Sequence, residues 1–206
     1  MQDNNNDLIA ENVAYEAYLS ERYGRFVEWV DGKVMAMPQP TIHELQLRWF
    51  LRMLFDVYLD ASDGGEAFSD PFTMKTSVDL PARQPDVYVI RPERLHLLRE
   101  REFAGAANLV VEIISPGYEA RDKVEKFEEY EIGGVQEYWI LDPARQEPLF
   151  YVLGEDGLFH SRPPVDGVYT STVLPKLKLA ISLLWQDEYP NPMEVIEMVK
   201  QMLGEG

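Results

Sequence analysis

Residues 109–115, Leu-Val-Val-Glu-Ile-Ile-Ser, constrain the fold more than any other stretch of the chain. In an extended strand Val110, Glu112 and Ile114 share one face, and Leu109, Val111 and Ile113 the other. Both faces are apolar apart from Glu112, the pattern of a central strand covered on both sides. The β-branched residues favour that conformation. Glu112 is then at least partly buried. An isolated carboxylate in such a place is costly and takes up a proton. It needs a cation, a lysine or a cluster of hydrogen-bond donors.

The flanking segments supply the rest of a mixed α/β sheet. A short helix is predicted over 11–20. Apolar-rich runs at 25–30 and 33–37 flank Asp31-Gly32, a two-residue hairpin signal. Ile42, Leu45, Trp49, Phe50, Met53, Leu54 and Val57 recur at helical spacing. Thr41, with Glu44 three residues on, predicts a capping box at that helix's start. "AFSDPFTMKTSVDL" reads as one strand and "QPDVYVIRP" as the next, while 93–108 is charged, with a helical turn. After the 109–115 strand, "YEARDKVEKFEEYEIGG" predicts a helix ended by Gly133-Gly134, and "VQEYWILDP" another strand. The order is helix, three strands, helix, strand. A hairpin around 154–157 follows, with strand or loop over 172–185. An amphipathic helix closes the chain, capped by Asn191 with Pro192 first.

The chain has 206 residues, 46% of them hydrophobic, enough for one domain over 1–206 with a sizeable core. Residues 1–7 are expected to be disordered, and 188–206 to carry an exposed-looking helix with Met193, Ile196, Val199 and Leu203 on its apolar side. With no cysteine, disulfides and thiolate metal sites are excluded. The start lacks a basic region followed by an apolar one, and no apolar run is long enough to span a membrane. The expectation is a cytoplasmic protein without membrane contact. Nineteen basic residues against thirty-six acidic ones give a net charge of −17. Such a chain repels DNA as a whole. A nucleic-acid function must rest on a local site, a metal ion or a partner.

A second carboxylate, Asp86, heads the strand "DVYVI" just after Pro85. Adjacent strands can bring Asp86 and Glu112 to one point, and two such oxygen ligands suit Mg²⁺ or Mn²⁺ that keeps several waters. On the following helix Asp122, Lys126 and Tyr130 are four apart and share a face. A lysine reaching Glu112 from there can orient a water or stabilise charge on a phosphate. The plainer alternatives are an exposed acid at a strand's start and a solvated charged helix face. Phe127 is expected to anchor the core.

These residues also resemble a known family. "FVEWVDGKV", "PTIHELQL", "QPDVYVI", "LVVEIISPGYEARDKVEKFEEY" and "GGVQEYWILDP" are similar to the Uma-two family of putative restriction endonucleases, within the PD-(D/E)XK nuclease superfamily. The likeness runs from about residue 8 to about residue 185 and is most specific over 109–143. It implies a restriction endonuclease-like mixed sheet flanked by helices, core order αβββαβ, and an Mg²⁺-dependent phosphodiesterase site. Pro85-Asp86 and Glu112 match the two acidic positions. The superfamily's lysine, two residues after the second acid, is here Ile114, and Lys126 matches a position moved onto the neighbouring helix. The implied roles are metal ligation by Asp86, Glu112 and the Ile113 backbone carbonyl, and positioning of water or phosphate by Lys126. Asp122 and Tyr130 are supporting candidates. Glu28 matches an acidic position in the first hairpin, as an extra ligand, an orienting partner of Lys126, or an exposed strand acid.

Gln84, just before Pro85-Asp86, is a candidate to line the site but reads rather as a turn amide. His43, at a recurrent position of that family, is a candidate phosphate contact but reads rather as helping to cap its helix. His96 and His160 read as surface residues, so no His pair suggests zinc. No G-x-S-x-G or Walker motif occurs. Tyr138 and Trp139 read as packing residues. In "RPERLHLLRER" the basic Arg91, Arg94, Arg99 and Arg101 are largely cancelled by Glu93, Glu100 and Glu102. The expected activity is therefore metal-dependent endonucleolytic hydrolysis of DNA with weak or local affinity, from a homodimer with two sites. The alternatives are a non-catalytic interaction module on the same fold, and a nuclease for short, single-stranded or modified substrates.

Overall fold

The computed structural model describes residues 7–21, 23–24, 26–115, 117–118 and 121–204, without the side chains of 121 and 122. In chain order these form β1 (Leu8–Ala10), α1 (Tyr15–Ser20), β2 (Val27–Val30), β3 (Lys33–Ala36), α2 (Ile42–Asp60), β4 (Glu66–Ser69), β5 (Thr73–Lys75), β6 (Ala82–Arg83) and β7 (Val87–Ile90). Then come β8 (Glu102–Phe103), β9 (Leu109–Ile113), α3 (Lys126–Gly133), β10 (Glu137–Asp142), β11 (Glu147–Leu153), β12 (Phe159–Ser161), β13 (Val168–Thr170), β14 (Lys178–Ala180) and α4 (Pro192–Leu203).

The central sheet has the order β12-β11-β10-β9-β7-β4. Only β9 and β10 run parallel in it, and α3 makes the crossover that a parallel pair requires. The predicted core order is present as α2, β4, β7, β9, α3 and β10. A second sheet, β1-β3-β2-β6-β5-β8, holds the first hairpin. A separate pair joins β13 to β14.

Strand β9 is buried along its whole length, with the predicted division of its faces. Leu109, Val111 and Ile113 join a core with Leu47, Phe50, Leu51, Leu54 and Phe55 of α2. Val110 and Ile114 join the opposite core with Tyr130 of α3 and Tyr138 of β10. Glu112 therefore faces α3. Trp139 and Tyr138 are packing residues, both fully buried, and Phe127 packs against the α3-side core. The capping box is formed by Thr41 and Glu44.

Several expectations change. The single strand over 67–80 is two strands in different sheets, β4 and β5. They part at Asp70-Pro71, where proline has no N–H to extend a ladder. The helix over 118–134 is α-helical only from Lys126. Arg121–Glu125 is a wider π turn, a device that re-aims the residues after it. Residues 8–10 add an edge strand, and residues 1–6 lie outside the described part. The terminal helix is not an exposed platform. Val195 and Val199 are fully buried in the α2-side core, with Met202 and Leu203 packed against it. Much of its apolar side is taken up by intramolecular packing, while Met193 stays exposed. No described helix is long and apolar enough to cross a membrane.

Candidate active site

The site is built where β7 and β9 end beside each other. Val87 lies opposite Val111, the last pair of that ladder toward the site, and Asp86 and Glu112 line one cleft there. Asp86 also accepts the backbone N–H of Ile113 through Oδ2, which holds its carboxylate to the end of β9. The exposed reading of Asp86 does not hold: its side chain is 13% exposed.

Glu112 is 2% exposed, and both its oxygens are met from α3. Lys126 Nζ lies 2.9 Å from Oε2, and the Tyr130 hydroxyl donates to Oε1 at 2.7 Å. Lys126 and Tyr130 are one α-helical turn apart, so both reach the same carboxylate. The side chain of Asp122 lies outside the described residues. Lys126 is itself 1% exposed, which a lysine tolerates only when paired. The solvated-face reading of this helix does not hold for it.

Glu28 is likewise not an exposed strand acid. It is fully buried on β2, 3.6 Å from Lys126 Nζ through Oε1. Arg83 NH1 donates to its Oε2 at 2.7 Å, and the Gln84 backbone N–H donates to its Oε1 at 3.2 Å. Arg83 also grips Glu129 of α3, with Nε and NH2 at 2.7 and 2.6 Å. A line of alternating charges thus ties β2 and β6 to α3 and fixes where Lys126 points.

The cleft has about 40 Å³ of space, room for about three waters. Asp86, Glu112, Lys126, Gln84, Arg48 and Asp70 all line it, as does Ile113. Arg48 of α2 pairs with Asp70 at 2.7 Å and also with Asp86.

Burial opposes charge on Arg48, but Asp86, Asp70 and, farther off, Glu112 outweigh it and raise its pKa. Arg83 behaves alike: burial is overcome by Glu28 and Glu129. The Tyr130 hydroxyl is pushed well up, by burial first and then by the Glu112 charge. It remains a neutral donor.

Among the described residues no group of three or more His, Cys, Asp or Glu converges as a complete metal site. The Asp86 and Glu112 carboxylates are oxygen donors, and both line the cleft together with Ile113. That set fits a hard dication that keeps several waters. It does not fit zinc, whose sites favour nitrogen and sulfur.

Three contributors escaped the sequence. Arg48 sits beside core residues of α2, Asp70 lay within a stretch read as one strand, and Arg83 lies in a two-residue strand. Only Arg83 carried a signal, a basic residue three before Asp86. His43 is not the cap of α2; the capping box fills that role, and its ring lies 6.0 Å from that of Tyr189. Gln84 is more than a turn amide: its Nε2 donates to the Tyr18 hydroxyl at 3.3 Å.

A family model described as Uma2, putative restriction endonuclease, matches residues 13–182. Among solved structures, the chain is similar to a putative nuclease belonging to DUF820 from Anabaena variabilis ATCC 29413. The two share 17% sequence identity with a TM-score of 0.61, over 84% of this chain and 90% of that one. At that identity the likeness is one of fold. No curated protein matches the chain.

Proposed function

Because the chain belongs to the Uma2 family of putative restriction endonucleases, we propose that it is a divalent-metal-dependent nuclease hydrolysing phosphodiester bonds of DNA at this cleft. The observation that carries the reading is Glu112: a carboxylate in a strand buried along its whole length, sharing a cleft with Asp86 and held by Lys126 and Tyr130.

Asp86, Glu112 and the Ile113 carbonyl would hold Mg²⁺ or Mn²⁺. When bound, the ion supplies a water of lowered pKa and offsets charge on the phosphate. The chain's own residues do the rest. Lys126 pairs with Glu112 and offers an ammonium to the attacking water or to a phosphate oxygen. Tyr130 fixes the second Glu112 oxygen. Glu28 and Arg83 hold Lys126 in register.

The four guanidiniums of 91–101 are engaged within the molecule, with Asp63, the Ala106 carbonyl, Glu102 and the Leu19 carbonyl. They leave little basic surface for a long duplex. This favours a substrate that presents few phosphates, a single strand or a short duplex. A twofold dimer would offer one cleft to each strand. The interaction-module reading loses part of one support, since Val199 of the α4 stripe is buried and Leu203 packs against the core, while Met193 stays exposed.

The test is cleavage of plasmid and of single-stranded oligonucleotide with Mg²⁺ or Mn²⁺. Asp86→Asn and Glu112→Gln are expected to abolish cutting, as is chelation by EDTA. Equal cutting by wild type and both variants would remove the proposed site.

A further inference from the structure

Arg48 has no place in the reaction above, yet it lines the same cleft. Its guanidinium is shared between two carboxylates on different segments, Asp70 after β4 and Asp86 before β7. All three side chains are largely enclosed, at 12%, 9% and 13% exposure. Its Nε is buried without a hydrogen-bond partner. A buried unmet donor is costly, so the guanidinium is held by its two terminal nitrogens and less firmly than a fully bonded one.

Asp86 is the carboxylate that the proposed function gives to a dication. A guanidinium and a dication a few ångströms apart on one carboxylate repel each other, and each weakens the other's hold. We propose that Arg48 is the resident counter-ion of this site. It competes with a divalent cation for Asp86, and Asp70 retains it when the cation binds. The inference rests on the proposed function, and makes Arg48 and Asp70 positioning residues that set metal affinity.

The exchange requires no motion of α2. NH1 already holds Asp70, so loss of the NH2 contact with Asp86 is a rotation within the side chain. The planar fork of arginine suits this, because its nitrogens can serve two carboxylates or turn together onto one. A ligand shifts such an equilibrium only through its differential affinity for the two arrangements. The stronger the Arg48–Asp86 contact, the weaker the apparent metal binding.

Calorimetry of Mn²⁺ binding to the full chain tests this. Arg48→Gln is expected to tighten Mn²⁺ binding about tenfold, the scale of one charge-assisted hydrogen bond lost by the competitor. Asp70→Asn is expected to weaken it about fivefold, since Arg48 then rests on Asp86 alone. The double variant decides the matter. Competition predicts that Arg48→Gln with Asp70→Asn binds as Arg48→Gln does, because Asp70 acts only through Arg48. A merely electrostatic influence of two nearby charges predicts additive effects, and additivity overturns the inference. If Arg48→Gln fails to fold, Asp70→Asn still decides: unchanged or tighter binding overturns the inference. Wild-type Mn²⁺ binding that is lost in Glu112→Gln but unmoved by Arg48→Gln overturns the inference alone. Absence of Glu112-dependent binding in the wild type removes the proposed function with it.

Discussion

Replacing Lys126 by methionine removes an ammonium from one of the most enclosed positions in the molecule while nearly preserving side-chain shape. Its nitrogen lies 2.9 Å from Glu112 and 3.6 Å from Glu28, and neither carboxylate is more than 3% exposed. Two unit charges about 4 Å apart interact by about 4 kcal/mol at an effective dielectric of about 20. Removing one partner of a buried pair typically costs about 3–5 kcal/mol, because the other charge is left behind. Here both carboxylates keep other donors: Tyr130 on Glu112, and Arg83 and Gln84 on Glu28. The loss should fall at the lower end, about 3 kcal/mol. Urea denaturation followed by circular dichroism measures it, with an unchanged slope showing that the compactness of the two states is the same. The internal control is Lys126→Met with Glu112→Gln, which removes the stranded charge as well. That pair should recover about 1–2 kcal/mol relative to Lys126→Met alone, a non-additive outcome expected of directly contacting groups. A Lys126→Met protein within about 0.5 kcal/mol of wild type, in the range of an ordinary surface change, would refute the account of the buried pair.

Two more predictions concern stability. Glu137 is fully buried and accepts donors from Trp139, Tyr169, Ser171, Thr172 and Val173. Glu137→Gln turns an amide NH₂ toward some of them, and should cost about 2–4 kcal/mol. Thermal melting should then fall by about 5–15 °C, and an unchanged melting point would show that the network is slack. At high pH, Tyr88 and Tyr130 matter. Burial, with Glu112 added for Tyr130, holds both hydroxyls well above their ordinary 10.0. The folded state keeps protons that the unfolded chain releases above that pH, so stability is lost as pH rises past about 10, at about 1.4 kcal/mol per unit for each group. Tyrosine absorbance and circular dichroism should therefore change together in alkali; smooth tyrosine ionisation in a still-folded protein would contradict this.

The central strand was legible because its pattern admits few alternatives. Leu109, Val111 and Ile113 had to face one layer, and Val110 and Ile114 another. With β9 placed, the helix carrying Lys126 and Tyr130 had to cover the face that holds Glu112, since β9 and β10 are parallel and need a crossover. That Asp86 and Glu112 line one cleft was available only as a possibility, because strand pairing is a non-local property. What the sequence concealed were side chains whose neighbours come from distant segments. Glu28 alternates with apolar residues, which left an exposed strand acid and a partner of Lys126 equally open. Arg83 of β6, the next strand of the same sheet, meets the carboxylate, and Lys126 of α3 reaches it as well. Arg48 shares a helix with Leu47, Phe50 and Leu51, and nothing local says that its head reaches Asp70 and Asp86. The π turn at Arg121–Glu125 was equally hidden, since a helical pattern does not reveal where one extra residue is accommodated.

The acidity of the chain and a phosphate-handling site are reconciled by where the cations are placed. Among the described residues, the ion pairs around the cleft join Glu28, Asp70, Asp86, Glu112 and Glu129 to Arg48, Arg83 and Lys126. Among these groups carboxylates outnumber cations, a setting that on the proposed function would repel a phosphodiester and attract a small dication. A surface rich in arginine would bind nucleic acid before any metal arrived. Buried arginines and a buried lysine instead hold the carboxylates in place. On the proposed function, affinity for the substrate would then depend on the occupancy of one small site rather than on the field of the whole protein, which is how a strongly acidic chain could act as a nuclease.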